Sequence, residues 1–124
     1  IIIEGNLSIG NSFSSPYGQY YVGNDALTNL TGLDNLISIG GDLSITGNDS
    51  LTSLIGLDNL TTIGGIFFIG NNLTLTSLTG PYNITSIGGD LSITGNDSLT
   101  SLIGLDNLTT IGGSLSIGGN NSLK

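Results

Sequence analysis

The run IGGDLSITGNDSLTSLIGLDNLTT occupies residues 39–62 and recurs unchanged at 87–110. Between the two copies, residues 63–86 read IGGIFFIGNNLTLTSLTGPYNITS, the same phrase with substitutions. A partial copy, IGGSLSIGGNNSLK, runs from 111 to 124, so the period is 24 residues. A fixed period of this size marks an architecture of stacked repeats. Upstream, IEGNLSIG (3–10) matches IGGDLSIT (39–46), and YVGNDALTNLTGLDNLIS (21–38) supplies the rest of a coil. Ile9 and Tyr21 fall at the same phase, which gives the first coil a 12-residue insertion, an expected loop at about residues 10–20.

Stacking the copies produces seven apolar columns. Leu43 and Ile45, with their counterparts, form an L-x-I pair of period two, as a strand requires. Leu51, Leu54, Leu57 and Leu60 recur every three residues, which suits short bent sides better than a long helix. The density of Gly, Ser, Thr and Asn also disfavours helices. The paired glycines at 40/41, 64/65, 88/89 and 112/113 are expected at tight corners of positive φ. One coil cannot bury its own hydrophobic stripe, whereas stacked coils about 4.8 Å apart can. The expectation is one all-β domain over residues 1–124, a leucine-rich-repeat-like parallel β-solenoid of about five coils.

Composition excludes several function classes. The nine Asp and Glu against one Lys, with no Arg or His, give a net charge of −8. Without a cation before Lys124, no nucleic-acid surface is expected. Absence of Cys and His removes thiolate chemistry, Cys-based zinc sites and the usual general base. The chain is therefore expected not to be an enzyme, and no cofactor or metal is expected. The acids follow the repeat rather than converging, so they read as charges for solubility and for spacing between rungs, and specific calcium sites are not expected. The longest apolar runs, Ile1 to Ile3 and Ile66 to Ile69, are far too short to span a membrane.

The phrase L-x-x-L-x-G-L-x-x-L-x-x-I-x-G-x-L-x-I-x-x-N-x-x-L is carried by LTSLIGLDNLTTIGG (51–65), LTSLTGPYNITSIGGDLSITGN (75–96) and LTSLIGLDNLTTIGGSLSIGGN (99–120). It resembles the receptor L-domain branch of the leucine-rich-repeat-like solenoids. The resemblance covers nearly the whole chain apart from the insertion. It implies a solenoid fold and an ectodomain or cell-surface setting.

Asn-X-Ser/Thr acceptors fall at Asn6, Asn29, Asn48, Asn59, Asn72, Asn83, Asn96, Asn107 and Asn120. Asn48, Asn72, Asn96 and Asn120 stand just past the L-x-I strand, where an inward amide would satisfy buried backbone groups and could not also hold a sugar. Asn6, Asn29, Asn59, Asn83 and Asn107 should face solvent and are the expected glycosylation sites. Phe13, Tyr17 and Tyr20 lie in the insertion, and Phe68 holds an outward position occupied by Ser in other coils. All four are expected contact residues. Neither end of the repeat array reads as a polar cap, which invites pairing with further coils. The expected function is a structural subunit of an extracellular, N-glycosylated filament built by head-to-tail stacking. The alternative is a receptor-like or adhesin module binding protein or glycan.

Overall fold

The structure is a computed structural model that describes residues 1–124, except for the side chains of Phe13 and Ser14. The chain is an all-β solenoid, and no helix occurs among the described residues. One parallel sheet stacks β2 (Leu7–Ile9), β6 (Leu43–Thr46), β8 (Phe67–Gly70), β10 (Leu91–Thr94) and β12 (Leu115–Gly118) in that order. The other stacks β1 (Ile2–Ile3), β5 (Ser38–Ile39), β7 (Thr62–Ile63), β9 (Ser86–Ile87) and β11 (Thr110–Ile111). Register follows the repeat: Leu43 pairs with Phe67, Phe67 with Leu91, and Leu91 with Leu115. Leu7 pairs with Leu43 across the inserted residues. Three complete inner coils therefore sit between a first coil that carries the insertion and a partial last one.

The three-residue spacing of leucines has a direct cause. Leu51 N–H donates to Asn48 O, Leu57 N–H to Leu54 O, and Leu60 N–H to Leu57 O, at 3.1–3.3 Å. Each bond closes a tight turn. Between Leu51 and Leu54 no such turn forms, and Leu54 N–H donates instead to Thr79 O of the next coil at 2.8 Å. Leu51, Leu54, Leu57 and Leu60 are fully buried, together with Leu43 and Ile45 from the strand side. Burial stabilises each by about 1.5–3 kcal/mol. Two-residue strands such as Thr62–Ile63 were not visible in the sequence, because a single T-I pair has no periodicity of its own.

The paired glycines work differently from expectation. Gly40, Gly41, Gly64, Gly65, Gly88, Gly89, Gly112 and Gly113 are absent from the positive-φ positions. They are small because the coils touch there: a Cβ on Gly64 would strike the carbonyl oxygen of Gly40, and one on Gly88 that of Gly64. The left-handed corners lie elsewhere, as at Gly80 with φ 141°. There a side chain would meet both strain and the Leu54 carbonyl.

The inserted residues form a β-hairpin rather than an irregular loop. β3 (Asn11–Ser15) and β4 (Gly18–Val22) pair antiparallel, with Ser15 opposite Gly18 across Pro16-Tyr17. The hairpin is anchored at its base, where Tyr21 lies against Gly47 of the next coil.

Candidate functional site

The nine acceptor asparagines divide by what their amide hydrogens do. Asn48, Asn72 and Asn96 are fully buried and Asn120 nearly so. They form a ladder inside the solenoid. Asn72 Nδ2 donates to Ile45 O at 3.0 Å and to Asn96 Oδ1 at 3.1 Å. Its Oδ1 accepts from Asn48 N–H at 3.1 Å and Asn48 Nδ2 at 3.2 Å. Asn48 spends its two amide hydrogens on Ile9 O and Asn72 Oδ1, and Asn120 donates to Ile93 O and Gly118 O. An N-linked sugar replaces one amide hydrogen, and these amides have none to spare.

The second column has different arithmetic. Asn59, Asn83 and Asn107 are exposed. Each Nδ2 donates one bond to the preceding coil, to Asp34 O at 2.6 Å, Asp58 O at 2.6 Å and Tyr82 O at 2.7 Å. One hydrogen fixes the side chain and the other faces water, where a sugar would replace it without breaking the rung contact. Asn6 is exposed, and its Oδ1 accepts Asp42 N–H at 2.8 Å. Asn29 is half-buried rather than fully outward. Its Oδ1 accepts Thr31 N–H at 3.0 Å and the Thr31 hydroxyl at 2.6 Å, a local turn that draws it toward the coil.

The acids have a role that charge counting missed. Asp42 Oδ1 accepts Ile66 N–H, and Asp90 Oδ1 accepts Ser114 N–H, both at 2.7 Å. Asp34 and Asp58 each accept the N–H of the glycine two residues before, at 2.9 Å. These carboxylates tie coil to coil and close turns, in addition to carrying charge. The G-x-D spacing of GLD at 32–34 and 56–58 was the available signal. No group of His, Cys, Asp or Glu able to hold a metal occurs among the described residues. No helix there is long and apolar enough to cross a membrane.

Of the expected contact residues, Tyr17 is 91% and Tyr20 53% exposed on the hairpin. The Phe13 side chain lies outside the described residues. Phe68 does not project freely. It is half-buried, with its ring beside Gly70, so that a Cβ there would come within 2.5 Å of ring carbons. The smaller glycine, where other coils carry Thr46 and Thr94, makes room for that ring.

The solenoid ends are open. Leu115 is 57% and Ile117 39% exposed on β12, whereas their counterparts Leu43 and Ile45 are completely covered by the next coil. At the other end Leu7 and Ile9 of β2 are half-buried, and Ile1 and Ile2 are exposed. No family model, curated protein or solved structure matches this chain, so the repeat solenoid rests on its own residues and geometry.

Proposed function

We propose that this chain is a structural subunit of an extracellular, N-glycosylated filament, in which solenoids stack head to tail. It works passively, without catalysis or a bound cofactor, by offering each rung to the next. The observation that carries this reading is the sameness of the coil-to-coil contact. Strand pairing and the asparagine ladder repeat at each junction from the second coil to the last with little change. The groups that Leu43 and Ile45 present to the third coil are therefore presented again by Leu115 and Ile117 to whatever lies beyond. A second copy's β2 edge supplies a matching rung, and a contact of this kind that does not close on itself makes an open fibre. The spare amide hydrogens of Asn59, Asn83 and Asn107 support sugars along one side. The likeness to receptor L-domain repeats supports the extracellular setting.

Negative-stain imaging of purified protein over a range of concentrations tests the assembly. Rods much longer than the roughly 24 Å of five rungs are expected. Ile117→Glu should leave the fold intact, since this side chain is already open, and should abolish the rods by burying a charge at the junction. Dispersed monomers at every concentration would overturn the filament. Mass spectrometry of protein from a glycosylating host should find sugars at the exposed asparagines and none at Asn48, Asn72, Asn96 or Asn120. Unmodified protein would remove the glycan from this reading.

A further inference from the structure

The hairpin does more than interrupt the first coil. Its second strand borders an open, shallow cleft of about 290 Å³ against the second and third coils, lined by Gln19, Tyr20, Tyr21, Asp49, Asn71 and Leu73. Two of these residues break the repeat. Asn71 stands where the other coils carry Gly47, Gly95 and Gly119, and it keeps their left-handed backbone at φ 55°. It is the single non-glycine residue of positive φ among the described residues, a conformation glycine adopts at lower cost. Leu73 stands where Asp49 and Asp97 have their carboxylates, and it is 46% exposed.

The substitution to Leu73 has a second effect. Asp97 Oδ1 is bonded by Asn121 Nδ2 of the next coil at 2.8 Å. Asp49 meets Leu73 at that position, and no hydrogen bond to its carboxylate occurs among the described residues. Successive side chains of β4 point to opposite faces of the hairpin, and Tyr21, whose Cβ lies against Gly47, is the tyrosine that faces the coils. The cleft thus combines the Tyr21 ring and a leucine with one carboxylate and two amides.

We infer that this cleft binds a neutral saccharide ring. The C–H face of a pyranose has apolar surface to lay on Tyr21 and Leu73, and its hydroxyls match the donors and acceptors of Gln19, Asp49 and Asn71. Small-molecule sites of this kind pair an apolar wall with a few placed polar groups. Charge narrows the class. No Lys or Arg precedes Lys124 and the net charge is −8, which disfavours an anionic ligand. A cation would be better served by the repeat's own residue, a second aspartate at 73 beside Asp49. The chain carries leucine there instead, which weakens a cation site and enlarges the apolar wall. This inference does not depend on filament assembly.

The test titrates the purified protein with glucose, N-acetylglucosamine, cellobiose and N,N′-diacetylchitobiose. Binding is read by saturation-transfer NMR and by tyrosine fluorescence. At least one sugar should saturate with a Kd of about 1 mM or tighter. Tyr21→Ala and Leu73→Asp should each weaken it roughly tenfold. Asn71→Gly should weaken it as well. Leu73→Asp and Asn71→Gly install residues that the flanking coils already fold with, so loss of binding there reports the cleft rather than the fold. The inference is overturned if none of the four sugars saturates, or if binding is unchanged in all three variants. It is also overturned if tetramethylammonium binds in their place and binds tighter to Leu73→Asp.

Discussion

Asn72 makes four side-chain hydrogen bonds in a fully buried position, two as donor and two as acceptor. Truncating it strands the Ile45 carbonyl and the Asn48 N–H away from water. Each orphaned group costs about 1–3 kcal/mol. We expect Asn72→Ala to lower stability by about 3 kcal/mol or more, read as a shift of the urea midpoint. Asn59→Ala removes one bond at an exposed site, and water replaces the lost partner. Its expected cost is about 1 kcal/mol or less. The two asparagines share a sequon and differ in fate because one amide faces the core and the other the solvent. Equal costs for the two would contradict the assignment of the inner column as the structural ladder.

At the scale of the element, the third coil shows how a strand absorbs a large outward side chain. Ser44 and Thr46 of β6 sit 3.1 Å apart, hydroxyl to hydroxyl. The same two positions of β8 hold Phe68 and Gly70, and the ring occupies the space a side chain at 70 would need. Gly70→Thr should push the ring into water, and adding Phe68→Ser should recover most of the loss by restoring the β6 pair. A double-mutant cycle should give a coupling of about 1 kcal/mol. Additive effects would mean that the ring and the glycine are independent. Tight turns, two-residue strands and bonds to the next coil such as Leu54 N–H to Thr79 O make the rest of each coil, so its stability comes mainly from contacts with the coils on either side.

That dependence defines the whole molecule. In a solenoid, stability is a sum of coil terms and contacts between neighbours. Deleting residues 63–86 joins the two identical phrases in phase, because 24 residues are one full turn. The shortened protein should keep a β-type circular dichroism spectrum and melt at a lower temperature, having lost one coil and its contacts. Deleting 63–85 removes 23 residues and shifts every later side chain by one position, turning inward leucines outward. That variant should lose its cooperative transition beyond the cut. Equal behaviour of the two deletions would refute the 24-residue coil. The first deletion also removes Asn71 and Leu73, and with them any binding in the cleft.

The sequence by itself determined the coil length, the inward columns, the L-x-I strands and the location of the insertion. These depend on hydrophobic spacing within a coil, and repetition displays that spacing several times over. Tertiary structure decided what lies between coils. Whether an asparagine spends one amide hydrogen or two, as Asn83 and Asn72 do, depends on carbonyls 25 and 27 residues away. The role of Gly64 depends on the Gly40 carbonyl beneath it, and that of Asp42 on the N–H of Ile66 above it. The cleft depends on the direction in which a hairpin leaves the first coil, which brings Tyr21 to the same cleft as Leu73. Residue spacing along one chain carries no record of that direction, because it is set by packing at the base of the hairpin against Gly47.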